Sequence, residues 1–190
     1  LKDNKHSNKI PNLLQSHPHE LGREPFAYVI NNEVVQPKKW ADKTIVYYAS
    51  WGSEHFEQWS PKNMGSGIGG SETAVIELSK RWVKKGYDVW VYGDPRDDEG
   101  DYEGVHYRPW YELNLKDEFN ILILWRSPHL LDKELKAKKL FMDLHDVTSN
   151  LDFTPDRVDK VDKVFFKSKY HRDMCPNVPD TKAVICSNGI

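Results

Sequence analysis

The chain has 190 residues, enough for one domain with a sizeable core and an appendage. Hydrophobic residues at 38% and charged residues at 29% describe an ordinary, rather polar globular composition. A net charge of −2 leaves no basic footprint for nucleic acid or an anionic membrane, and no apolar run approaches the length of a transmembrane segment.

Residues 1–40 are poor in apolar periodicity and hold Pro11, Pro18, Pro25 and Pro37, so they read as an arm or linker ahead of a domain at 41–190. His6, His17 and His19 lack the spacing of zinc ligands and read as solvated; no metal and no cofactor is expected. Ala27–Ile30 and Glu33–Gln36 flank Asn31-Asn32, a pair that suits the positive φ of a tight turn, which predicts a small hairpin. Thr44–Ala49 is a short β-branched run, as expected of a buried parallel strand. A long loop follows from Ser50, and Trp51, Phe56 and Trp59 make it aromatic.

Gly65, Gly67, Gly69 and Gly70 leave the end of that loop nearly bare. From Thr73 to Gly86 the pattern turns helical, with Ala74, Leu78 and Trp82 on one stripe and Val75 and Val83 beside it. Ser71 or Gly70 is placed to cap the start, Glu72 suits the positive end of the dipole, and Lys84, Lys85 and Gly86 mark the stop. A glycine loop opening a helix is an anion site in the making, because unpaired N–H groups and the dipole face the ligand.

Further strands are expected at 88–92, 105–107, 119–125, 139–144, 163–166 and 183–186, with a short helix at 169–174 and a solvated acidic loop at 97–104. Short apolar strands alternating with helical stretches predict an α/β fold, a Rossmann-like parallel sheet with helices on both faces. Ligands of such sheets bind beyond the carboxyl ends of the strands. That rule selects Ser50, the glycine loop, Asp94, Arg126, His145, Asp146, Ser168 and Asn188, a polar set behind greasy strands. Cys175 and Cys186 are the only cysteines; they suggest a reducing, cytoplasmic compartment and read as buried, inert thiols. A start at Leu1 and a stop just after the turn pair Asn188-Gly189 suggest a fragment of a longer protein.

On these residues the chain resembles the N-terminal domain of retaining glycosyltransferases of family four, which have the GT-B fold. The resemblance runs from about Thr44 to Ile190. It lies in Gly67-Ile68-Gly69-Gly70-Ser71-Glu72-Thr73-Ala74, Leu124-Trp125-Arg126-Ser127-Pro128, Leu144-His145-Asp146, Phe166-Lys167-Ser168-Lys169-Tyr170-His171-Arg172 and Ser187-Asn188-Gly189-Ile190. It implies a two-domain enzyme with its site in the cleft, this half holding the acceptor and a C-terminal Rossmann-like domain, absent here, holding the nucleotide. By resemblance, Gly69 and Gly70 approach the diphosphate of a UDP- or GDP-linked donor. His145 contacts the donor sugar. Arg126, Asp146, Ser168 and Asn188 are candidate contacts to acceptor or sugar. The implied reaction moves the sugar to a hydroxyl with retention of configuration and without an obligatory metal; the isolated domain is expected to be inactive.

Two rivals stand beside it. Gly65, Gly67 and Gly70 satisfy the spacing of a dinucleotide fingerprint, with Asp94 at the end of the second strand, but the stretch from Ser50 to Met64 separates them from the first strand. The aromatic loop would equally suit sugar stacking in a non-catalytic carbohydrate-binding module.

Overall fold

The computed structural model describes residues 26–50 and 58–188. Its centre is β1 (Thr44–Tyr48), every residue of which is buried. Flanking strands on both sides and side chains on both faces leave it no contact with water, which is why its sequence is continuously apolar rather than alternating. The remaining strands are β2 (Asp88–Gly93), β3 (Gly100–Tyr102), β4 (Val105–Pro109), β5 (Glu118–Trp125), β6 (Lys136–Asp143), β7 (Lys163–Phe166) and β8 (Ala183–Ile185). They form one sheet in the order β3-β4-β2-β1-β5-β6-β7-β8. All neighbours are parallel except the β3–β4 pair. From β1 the chain builds outward through β2 and β4, then returns to the centre and builds the other way from β5. The strand order therefore reverses between β1 and β5. This is a Rossmann-like α/β fold.

The period of two splits the core into two layers. Val46 and Tyr48 of β1 share one face with Leu122, Leu124, Met142, Val164 and Phe166. That layer is closed by α1 (Phe26–Glu33), α3 (Pro155–Lys160), α4 (Lys169–Asp173) and the loops around Leu131, Phe153 and Val178. Ile45, Tyr47, Val89, Val91, Ile123 and Trp125 face the other way, under α2 (Gly70–Lys84).

Helix α2 starts at Gly70, three residues before the expected Thr73, with Gly69 as its N-cap, and ends at Lys85 and Gly86, the latter at φ +83° as its stop role requires. Its buried residues are Ser71, Ala74, Val75, Ile76 and Ser79; of the expected stripe Ala74 and Val75 are among them, and Trp82 and Val83 pack on the core while partly exposed. Leu78 and Trp82 are only half-buried. With Ile121, Phe141 and Phe165 of the sheet they line an open cavity of about 440 Å³.

Three sequence expectations are corrected. The stretch read as a hairpin is the helix α1, because Asn32 serves as a tertiary tie and not as a turn residue. Its amide donates to Leu113 O, and its carbonyl accepts from Leu115 N. The acidic loop at 97–104 contains β3, whose Asp101 pairs with Arg108 at 2.8 Å across the antiparallel ladder. Cys175 is buried as expected, whereas Cys186 is exposed. Of the stretch read as an arm, residues 1–25 lie outside the described residues. Residues 26–40 pack on the sheet, where Trp40 is buried, stacks on Phe119 and donates its indole N–H to Asp117. Among the described residues no helix is long and apolar enough to cross a membrane.

Candidate functional site

The strand order reverses between the paired strands β1 and β5, and the helix that follows β1 begins near their carboxyl ends, where Ser71 meets Arg126. Gly69 has ordinary backbone angles, φ −60° and ψ 151°, so conformation does not require glycine at this cap. Space does. A Cβ at Gly69 would stand 2.1 Å from Glu72 Oε2, whereas a Cβ at Gly70 would meet nothing within 4 Å. The first turn of α2 therefore presents bare backbone to open space at Gly70, and Glu72 folds back over the cap beside it.

Arg126 follows β5 directly and adopts φ +57°, a left-handed conformation that costs a non-glycine residue about 1 kcal/mol or more. This bend aims the guanidinium at the start of α2. Nη2 donates to Ser71 Oγ at 2.6 Å, Nη1 stands 3.6 Å from Glu72 Oε1, and Nε stands 2.8 Å from Asp146 Oδ2. The plane lies over the Trp125 ring at 4.0 Å. The two predicted residues Arg126 and Asp146 are thus brought together, next to the glycine loop. Asp146 is paired with the arginine. Beside them a cavity of about 260 Å³ is lined by Arg126, His129, Asp146, Thr148 and Asp152 among others. The site holds a cation in a fixed orientation, two carboxylates that share it, and a helix start with no side-chain cap at Gly69, which suits recognition of an anionic group able to compete with Asp146.

His145 sits one strand further along. Its side chain is only 2% exposed, and Nε2 lies 3.1 Å from Asp143 Oδ2. Asp143, the last residue of β6, is itself buried at 5% exposure. Its Oδ1 accepts from Lys167 Nζ at 2.6 Å, and Oδ2 also accepts from the Tyr47 hydroxyl. Burial pushes the Asp143 carboxyl up, but His145 and Lys167 outweigh it and hold the group below the usual aspartate range. Burial, followed by the Asp143 charge, drives the Tyr47 phenol well above its ordinary value. Three donors on one carboxylate lock the ends of β6 and β7 to β1 across β5. His145 Nδ1 and Trp125 Nε1 are buried and have no hydrogen-bond partner among the described residues; the two ring centroids are 5.9 Å apart.

The other predicted residues have local duties. Ser168 caps α4, its Oγ accepting from His171 N at 3.0 Å. Asn188 is exposed beyond β8, two strands away from β6. Asp94 stands 3.6 Å from Arg96. Trp59 is buried, its ring against Gly93 and Tyr107, and so offers no stacking platform; Trp51 and Phe56 lie outside the described residues. Sequence reading missed Asp143, Lys167 and Tyr47. The one available signal was a carboxylate within the apolar run Leu140-Phe141-Met142-Asp143-Leu144. Among the described residues no group of three or more His, Cys, Asp or Glu is placed to hold a metal; His6, His17 and His19 lie outside them. Comparison with models of protein families, with curated proteins and with solved structures finds no match to this chain.

Proposed function

We propose that the chain is the acceptor-side domain of a retaining glycosyltransferase of the GT-B kind, acting on a UDP- or GDP-linked sugar with a second Rossmann-like domain. The observation that carries the reading is the junction at the β1/β5 reversal. There the open backbone of Gly70, the start of α2 and the oriented guanidinium of Arg126 meet. Preorganised N–H groups and a fixed cation are what a departing nucleoside diphosphate needs, since they stabilise charge that grows as the glycosidic bond breaks. His145, two residues from the carboxylate that holds it, is the proposed contact to the sugar, and the cavity beside Asp146 is the proposed acceptor side. A cytoplasmic setting fits the two unpaired thiols.

The dinucleotide reading is disfavoured by distance along the chain: β1 ends at Tyr48 and α2 begins only at Gly70, whereas a pyrophosphate-wrapping turn follows its strand directly. A stacking module is disfavoured because Trp40, Trp59, Trp110 and Trp125 are core residues. The test is transfer by the protein carrying whatever its gene encodes after Ile190, assayed with UDP- and GDP-sugars and a panel of hydroxyl acceptors. Product with the donor's anomeric configuration, formed in the presence of a chelator, is expected. Inversion, loss of activity on chelation, or saturable NAD binding in place of sugar nucleotide refutes the proposal.

A further inference from the structure

Parallel sheets are normally covered on both faces, yet among the described residues one quadrant of this sheet has no cover. The connections after β5, β6 and β7 all pack on the face of Leu122 and Met142, through Leu131, Phe153, Val158 and Cys175. On the opposite face α2 is the only α-helix among the described residues, and it packs chiefly on β2 and β4. Phe141 of β6 and Phe165 of β7 are therefore left half-exposed, their ring centroids 5.8 Å apart. With Ile121 and Ile123 of β5 they form the floor of the cavity of about 440 Å³, and Leu78 and Trp82 of α2 form its wall. Small-ligand pockets have volumes of about 300–1,000 Å³ and the same make-up, apolar and aromatic walls with few polar groups.

Three charged side chains line this cavity: Lys85, Asp143 and Lys167. Two of them cancel, because Lys167 Nζ stands 2.6 Å from Asp143 Oδ1 while Tyr47 and His145 occupy the other oxygen. The ammonium of Lys85, the exposed C-cap residue of α2, has no ion pair and no hydrogen bond among the described residues. The cavity is thus apolar within and carries one unmatched positive charge. Apolar surface gains by leaving water and a charge does not, so the complementary ligand has an apolar body and a single anionic head that stays at the rim. We propose that the groove between α2 and strands β5, β6 and β7 binds one amphipathic anion, in its simplest form a medium-chain carboxylate, with the hydrocarbon on Phe141 and Phe165 and the head at Lys85. This cavity shares no lining residue with the one beside Arg126, and the proposal does not rest on the glycosyltransferase reading.

The experiment is a titration of the ¹⁵N-tryptophan-labelled chain, followed by NMR, with butyrate, octanoate, decanoate and dodecanoate, each below its micelle-forming concentration. Dodecyltrimethylammonium supplies the same tail under the opposite charge. The Trp82 indole signal, assigned with Trp82→Phe, reports the cavity, and Trp110, buried on the other face, is the control. Saturable shifts of Trp82 with Trp110 unmoved are expected, with no response to butyrate and binding about tenfold tighter for each two carbons added. Lys85→Met removes an exposed charge and keeps the length of the side chain, so it should fold, weaken dodecanoate about threefold to fivefold and erase its advantage over the ammonium. Leu78→Glu sets an anion in the wall and should abolish carboxylate binding; if that variant fails to fold, the chain-length series and Lys85→Met still decide. No saturable Trp82 shift, affinity that does not rise with chain length, or an unchanged affinity in Lys85→Met overturns the proposal. A Trp82 signal that moves with protein concentration alone gives the groove to a second copy. Loss of dodecanoate binding in the protein carrying whatever its gene encodes after Ile190 gives it to that segment. Either result overturns the ligand site, and neither bears on sugar transfer, so the two proposals fail separately.

Discussion

Replacing Lys167 by Met removes the lysine cation bonded to the buried Asp143 while keeping most of the side-chain volume. The Nζ–Oδ1 distance is 2.6 Å, the aspartate side chain is 7% exposed and the lysine side chain 15% exposed, so solvent screens the pair poorly. Stranding one partner of a buried ion pair costs about 3–5 kcal/mol, a large part of the roughly 5–15 kcal/mol that holds a domain together. The cost must depend on pH. The Asp143 carboxyl lies below its unfolded value in the folded protein, so its contribution is fully present above the unfolded aspartate value of about 3.9 and is lost as pH falls through the lower folded value. Without Lys167 the folded value rises, and the variant relieves its stranded charge by taking up a proton. Urea denaturation of wild type and Lys167→Met at pH 7.5 should therefore differ by about 3–5 kcal/mol, and the difference should shrink by pH 4.5. A difference under about 1 kcal/mol at pH 7.5, or one that stays constant with pH, would refute the account of this cluster.

Gly70→Val should leave the fold intact, because nothing lies within 4 Å of the new Cβ; in the intact protein it should lower transfer at least about tenfold, equivalent to about 1.4 kcal/mol of transition-state stabilisation, and an unchanged rate would remove the helix start from the mechanism. Asn32→Leu strands Leu113 O and Leu115 N and should cost about 2–4 kcal/mol in urea denaturation; a neutral result would mean that α1 is not anchored through this side chain. Burial, against the pull of Asp146, holds the His171 ring below its ordinary value. The unfolded chain then binds the extra proton first, so stability should fall as pH drops below about 6.5 toward the folded value. His171→Gln should flatten that slope in melts between pH 7.5 and 5, and an identical slope would assign the loss to other groups.

Much of the fold is legible along the chain because its strands carry their own signature. Thr44–Tyr48, Glu118–Trp125 and Lys163–Phe166 are short apolar or β-branched runs ended by polar residues, and each forms where the pattern places it. The segment around Asn31-Asn32 misleads for a physical reason. A turn reading of asparagine counts only its local freedom, while Asn32 is held by backbone groups more than eighty residues away. β3 escapes because Gly100-Asp101-Tyr102 is too short to show an alternating apolar face; its pairing with β4 is made by backbone and by Asp101–Arg108. The stripe on α2 is read on the right side of the helix: Ala74 and Val75 are buried and Trp82 and Val83 pack on the core. What the sequence does not show is that Ser71, Ile76 and Ser79 are buried as well, because that depends on how the helix crosses the sheet.

The candidate site divides along the same line. That Arg126, His145 and Asp146 follow strands is a property of local sequence, and so is the bareness of the glycine loop. The partners those residues choose are not. Arg126 meets Ser71 and Glu72 only because β5 lies beside β1, and Asp143 meets Lys167 and Tyr47 only because β6 stands between β7 and the centre of the sheet. Short-range propensity and hydrophobic period act over a few residues, so they are encoded in order along the chain. Charge pairing, burial and an unpartnered ring nitrogen depend on which strands become neighbours, and that is decided when the sheet closes over contacts distant in sequence.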